Sequence, residues 1–283
     1  MTDQAQPEPP ELWHYTTVGA LEGILFSQQL HLSHASFLND PRERHLIYEA
    51  LSEEVSIQSG FFAEELRNVT PALDDDIDAV PFVTSFSANP DNLLLWTAYS
   101  DGLKGVALQV RAEVVKALCI RGHDEYQMDV RRVCYDDELV RVHVREQIAD
   151  LKLSWEATQR NGGAGRGMMK QFHAVPEHLA HLSTNYKSSG WQQEDEWRLV
   201  ARYRDPFNGY GEENDDEVRR RHRAAWRYRD GKRPYIAVEI EPHRMIEKII
   251  MGPCADERKV HGVAAEYGLQ NKIDRSPTII RCA

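Results

Sequence analysis

Two glutamates two residues apart, Glu194 and Glu196, stand in the run Gly190-Trp191-Gln192-Gln193-Glu194-Asp195-Glu196-Trp197-Arg198-Leu199-Val200, with Lys187 just ahead of it. An extended backbone sends alternate side chains to opposite faces, so Glu194, Glu196 and Arg198 would share one face while Trp197 and Leu199 pack on the other. Unpaired charges are costly to bury, so the charged face needs either solvent or a polar cleft. In a cleft, such carboxylates can stabilise developing positive charge or accept a proton. A solvated edge strand would produce the same pattern.

Three earlier segments carry polar groups beside apolar strand residues. In Trp13-His14-Tyr15-Thr16 the imidazole can donate or accept a hydrogen bond to a ligand hydroxyl and Tyr15 supplies a ring face, although a satisfied core histidine has the same surroundings. Ser33 and Phe37-Leu38-Asn39-Asp40-Pro41 put small polar groups between a strand and a helix start, where capping alone accounts for Asp40. In Thr84-Ser85-Phe86-Ser87 the hydroxyls of Ser85 and Ser87 share one strand face. Trp96 and Tyr99, three apart, share a helix face, as core aromatics often do.

These segments need elements to position them. Thr17 caps an expected helix with apolar positions Val18, Leu21, Ile24 and Leu25, and Leu30–Ser33 alternates like a strand. Asp40, Pro41 and Glu43 signal a helix from about 41 to the mid-fifties. Pro81–Ser87 reads as strand, Asn89-Pro90-Asp91 as turn and cap, Leu93–Tyr99 as helix and Gly105–Val110 as strand. From 111 to about 190 the pattern is mostly helical, with a short strand expected at Arg132–Tyr135 and a loop at Gly162–Gly167, which lacks the residues of a phosphate-cradling loop. Strands are expected at Glu196–Tyr203, Tyr235–Glu241, Lys248–Met251 and Thr278–Arg281, with a helix near 256–267.

The 283 residues suit one elaborated domain, 12–283, after a flexible tail over 1–11 that is rich in proline, glutamine and acid. There is no long apolar run and no basic-then-apolar leader, so the expectation is a cytoplasmic protein without a membrane span. Four well-separated cysteines, Cys119, Cys134, Cys254 and Cys282, read as reduced thiols, not as a zinc site. A formal net charge of -11 argues against broad attraction to phosphate backbones. Acidic runs occur at Asp74–Asp76 and Glu212–Glu217. The arginine-rich stretch Arg219–Arg233, interleaved with Trp226 and Tyr228, reads either as a solvated helix face or as a patch for nucleic acid or an acidic partner.

The order HYT, FLNDPRE, SFS with LLLWTAYSDGLKGV, K with GWQQEDEWRLV, then KIIMGP, resembles the DUF2971 family over nearly the whole ordered chain. That family is similar in motif order to ADP-ribosyltransferases. The resemblance implies an α+β fold: an ADP-ribosyltransferase-like split β-sheet core with peripheral helices and a mainly helical insertion around 111–186, a candidate acceptor-recognition element. It implies NAD as substrate with no metal, and cleavage of the nicotinamide glycosidic bond through an oxocarbenium-like transition state. Glu196 would stabilise that charge and Glu194 would orient or deprotonate the acceptor. The cleft would be completed by His14, Tyr15, Thr16, Ser33, Asn39, Ser85, Ser87, Trp96, Tyr99, Lys187 and Arg198, the last two candidates to neutralise pyrophosphate, with Arg198 equally able to form a structural ion pair with Glu196 or Asp40.

The acceptor implied is an unidentified macromolecule or small molecule, nucleic acid included, and the biological setting a toxin or phage-defence effector. An NAD glycohydrolase, a non-catalytic nucleotide- or nucleic-acid-binding module using the arginine-rich stretch, and a magnesium nuclease built on Glu194, Asp195, Glu196 and Asp40 are the alternatives.

Overall fold

The computed structural model describes residues 11–38, 42–69, 80–121, 126–160, 179, 181–203, 223–280 and 282. In chain order the elements are β1 (Leu12–Thr16), α1 (Val18–Ser27), β2 (Gln29–His34), α2 (Arg42–Ile57), α3 (Gly60–Val69), β3 (Phe82–Ser87), α4 (Leu93–Tyr99), β4 (Val106–Val110), α5 (Ala112–Arg121), β5 (Tyr126–Arg132) and α6 (Asp137–Arg160). Then follow β6 (Glu196–Tyr203), β7 (Arg227–Arg229), β8 (Arg233–Glu239), α7 (Pro242–Met245), β9 (Ile246–Met251), α8 (Glu257–Glu266) and β10 (Ile273–Arg275). The result is the expected mixed α+β fold, with one central sheet and peripheral helices.

The ten described strands form a sheet made of two halves. One half runs β10-β9-β4-β1, with β1 pairing antiparallel to β4 over all five of its residues. The other contains β3 paired with β6 over six residues, β6 with β5, and β2 with β8 and β7. The halves meet where β1 and β3 pair, and there the register consists of one residue pair, Trp13 with Ser87. At its other end β3 pairs with β2 through Val83 and Phe82. Among the described residues Thr84 to Phe86 therefore have no strand neighbour on that edge, and the sheet parts.

Period-two alternation gives each half a core face. Leu30, Leu32, Phe82, Phe86, Trp197, Leu199, Ile236 and Val238 pack with apolar residues of α1, α5 and α8 in the main core. Trp13, Tyr15 and Ala107 point the other way and pack beneath Leu95 and Trp96 of α4. A separate cluster joins α2, α3 and α6 through Ile47, Leu51, Phe62, Leu66, Val144 and Ile148. Thr17 caps α1, its side chain accepting from the Ala20 amide, as the sequence led us to expect.

Several expectations need correction. Asn92, not the Asn89–Asp91 cluster, caps α4, accepting from the Leu94 amide at 2.9 Å. The strand expected at Arg132–Tyr135 lies earlier, at Tyr126–Arg132, and forms a seven-residue ladder with β6. Val133–Tyr135 lie past its end, where Cys134 bridges Tyr186. The segment that reads as a helical insertion thus also supplies a sheet strand. The final described strand is Ile273–Arg275, parallel to β9, and Thr278–Ile280 is not strand. Within the arginine-rich stretch the described part is mainly a hairpin strand, β7, and not a helix face, because Gly231 and Asp230 take positive φ and turn the chain back into β8. The reading of all four cysteines as reduced fails as well. Cys254 and Cys282 form a disulfide, with Cα atoms 5.5 Å apart, because the C-terminal chain returns across the loop after β9, while Cys119 and Cys134 are free. The tail over 1–10, the cap residues Asn39–Pro41, the Gly162–Gly167 loop and both acidic runs lie outside the described residues.

Candidate functional site at the parting of the sheet

A cleft with a volume of about 840 Å³ opens where β1 and β3 diverge, within the range of small-molecule and cofactor sites. Its lining draws on β1, α1, β2, β3, β6 and the β7–β8 hairpin. Strand registers explain the convergence. Ser33 lies opposite Val83 and Tyr235, Ser85 opposite Arg198, and Ser87 opposite Glu196. These residues share one sheet face, with the core residues on the other.

The carboxylates sit at one end. Glu196 is 5 % exposed and Arg198 1 %. The Arg198 guanidinium donates to both Glu196 oxygens, from Nε at 2.8 Å and from Nη2 at 3.0 Å, and from Nη1 to the Thr184 carbonyl at 3.1 Å. Lys187 Nζ donates to Glu194 Oε2 at 2.6 Å and to Glu196 Oε2 at 3.2 Å. Tyr99 Oη donates to Glu194 Oε1 at 3.0 Å, and the Glu196 amide donates to Tyr135 Oη at 2.9 Å. Two buried cations thus balance two buried carboxylates, the condition under which burying charge is tolerable. Burial pushes the Glu196 carboxyl up, but Arg198, Lys187 and a hydrogen bond from Ser85 outweigh it and bring it down to about 2. It is ionised at neutral pH. Burial disfavours a charged Lys187, but Glu196 and Glu194 more than compensate and hold it protonated.

Glu194 does not belong to the extended run expected for it. It ends a 3-10 turn, Ser189–Glu194, and Asp195 adopts a left-handed φ of 41° before β6 begins. That kink brings both glutamates onto Lys187 and turns Asp195 aside to Arg132, 2.9 Å away.

The second wall is β1. His14 Nδ1 lies 3.0 Å from the Ser85 carbonyl, on the β3 edge that has no strand partner among the described residues. A carbonyl only accepts, so Nδ1 carries the proton. Burial lowers the imidazole pKa more than this hydrogen bond raises it, and the ring is neutral with Nε2 as an acceptor. Tyr15 Oη is used structurally, donating to the Asn89 carbonyl at 2.9 Å and accepting from the Asn92 amide at 3.0 Å, while its ring lines the cleft.

Of the residues singled out in the sequence, His14, Tyr15, Thr16, Ser33, Ser85, Ser87, Tyr99, Lys187, Glu194, Glu196 and Arg198 all line this one cleft. Ser87 holds the frame, its hydroxyl donating to the Glu194 carbonyl at 2.6 Å and accepting from the Asn89 amide. Trp96 is fully buried against Tyr15, its indole donating to Asp91 at 2.7 Å, and it is not part of the lining. Asn39 lies outside the described residues. Tyr135 and Thr184 were not apparent from the sequence, having no motif around them. Arg227 and Arg229 also reach the cleft, and the alternation Arg227-Tyr228-Arg229 was the signal for them. Among the described residues no group of three or more His, Cys, Asp or Glu side chains could hold a metal ion, and no helix is long and apolar enough to cross a membrane.

The fold and site together define a mixed α+β protein with a charged cleft at a parted sheet. Residues 95–199, from α4 through Lys187 and both glutamates into β6, match the family model described as protein of unknown function (DUF2971). No curated protein and no solved structure gives a significant match to the chain.

Proposed function

We propose that the chain is an ADP-ribosyltransferase that consumes NAD. The observation that carries this reading is the parting of the sheet between β1 and β3, with His14 and Tyr15 on one wall, Ser85 on the other and Glu196 beside it. This arrangement supports the split-sheet core implied by the resemblance. The β3 edge and His14 Nε2 offer hydrogen bonds to ribose hydroxyls. Glu196, held anionic by Arg198 and Lys187, supplies negative charge beside a ribose carbon that becomes cationic as nicotinamide leaves.

The two glutamates differ in what they have to spare. A carboxylate offers about four acceptor sites. Arg198 takes two on Glu196 and Lys187 a third, so a ribose hydroxyl would bind at the one that remains. Glu194 receives Tyr99 and Lys187 and keeps spare capacity, which suits it to take the acceptor's proton. With water as acceptor the same site is an NAD glycohydrolase. The full neutralisation of both carboxylates favours a second reading, a nucleotide-binding module that does no chemistry.

Calorimetric NAD titration with nicotinamide-release assays on the wild type, Glu196→Gln and Glu194→Gln tests the proposal. Binding by all three, with turnover in the variants reduced roughly 100-fold or more, is the expected outcome. Nicotinamide release without ADP-ribose on any acceptor selects the glycohydrolase, and binding without release selects the module. Absence of NAD binding removes the reading.

A further inference from the structure

The cleft has a basic end that the carboxylate chemistry does not use. Arg227 lies opposite Tyr235 in the β7–β8 ladder and Arg229 opposite Arg233. Tyr235 in turn lies opposite Ser33, and Ala237 opposite His31. By parity these side chains share the cleft-facing side of the sheet, and Arg227, Arg229, Tyr235 and His31 all line the cavity. The His31 and Tyr235 rings lie 4.3 Å apart, and the Arg229 guanidinium sits over the Tyr235 ring at 5.8 Å. Arg227 donates to the Gln29 side chain, a neutral partner, at 3.1 Å. Among the described residues neither Arg227 nor Arg229 pairs with a carboxylate, whereas Arg233 pairs with Asp230. The two other cations of the cleft, Lys187 and Arg198, are committed to Glu194 and Glu196.

Two arginines that line a cavity without a carboxylate partner among the described residues suit an anion with several oxygens. We infer that Arg227 and Arg229 form the pyrophosphate subsite of this cleft, with the ring faces of His31 and Tyr235 beside it, and that Lys187 and Arg198 have no such role. The inference rests on the cleft being a nucleotide site, not on its turning NAD over.

Both arginines are exposed, so the Arg227→Gln/Arg229→Gln double variant is expected to fold, which circular dichroism verifies. The full-length wild type, this variant and an Arg244→Gln control outside the cleft are titrated with ADP, inorganic pyrophosphate, adenosine and a ten-nucleotide oligothymidylate. The expected result is a loss of ADP and pyrophosphate affinity of roughly ten- to a hundredfold in the double variant, with adenosine unchanged and the control like the wild type. Unchanged ADP affinity in the double variant overturns the inference, as does failure of the wild type to bind ADP or pyrophosphate. Arginine-dependent capture of the oligonucleotide without ADP binding overturns it in favour of nucleic acid. Arginine-dependent ADP binding in a protein that never releases nicotinamide keeps the subsite and removes the transferase.

Discussion

Lys187 Nζ lies between two carboxylates that the chain places two residues apart, 2.6 Å from Glu194 and 3.2 Å from Glu196. All three side chains are buried, so each charge depends on the others for its solvation. Removing one partner from such a group leaves an uncompensated charge in a dry site.

Lys187→Ala should therefore destabilise the protein by about 3–5 kcal/mol. Urea denaturation of the variant measures this. A double variant with Glu194→Gln should recover part of the loss, since the Glu194 charge left behind goes with it; equal losses in single and double variants would show that the pairing energy lies elsewhere.

The depressed Glu196 carboxyl fixes a pH dependence. A group whose pKa is lower folded than unfolded stabilises the fold fully above its unfolded value, here 4.5, and loses that contribution as pH falls through about 2. Thermal unfolding from pH 6 to pH 2 should show stability falling across this window, and Glu196→Gln should flatten the fall. A parallel decline in the variant would assign the acid sensitivity to other carboxylates.

Gly105 admits no side chain. A Cβ there would stand 2.2 Å from the Thr16 carbonyl oxygen and 2.8 Å from Ser100 Cβ, against backbone on one side and a short side chain on the other. Gly105→Ala should cost about 3 kcal/mol or more and separate the start of β4 from the end of β1, lowering the melting temperature and the yield of folded protein.

The disulfide predicts a thiol count. In denaturant without reductant, two of the four cysteines should titrate, Cys119 and Cys134, and reductant should release the rest. In the native protein Cys119 should react slowly, since burial pushes its thiol up to about 11. Cys282→Ser should lower stability by about 2–4 kcal/mol; four titratable thiols without reductant would contradict the pairing.

Much of the scaffold was legible because local signals and tertiary packing agree. Thr17 with its apolar helix, the bounds Leu93–Tyr99 and the strand Glu196–Tyr203 follow from caps and periodicity. The sequence places β5 too late because Asp129, Arg131 and Arg132 interrupt its apolar pattern, and its identity as a strand comes from the β6 ladder. The Cys254–Cys282 bond spans 28 residues and has no spacing signature. At the site, residue types identified most of the lining, but not which charges are free. Lys187 reads as a phosphate ligand, and Arg198 either as one or as an ion-pair partner of Glu196 or Asp40, until their distances to Glu194 and Glu196 are known. Arg227 and Arg229 read either as a solvated helix face or as a patch for nucleic acid or an acidic partner until the turn at Gly231 folds them over the cleft.

The single-pair junction of Trp13 and Ser87 has a consequence for how the molecule comes to exist. The cleft forms only after β1 has paired with β4, β2 with β8 and β3 with β6, contacts between distant parts of the chain. Loop closure over such lengths is entropically expensive and slow. The site therefore cannot form before these distant segments have met. A ribosome still building β8 carries a nascent chain whose carboxylates have no cleft to face, and a fragment limited to residues 95–199 would be in the same condition.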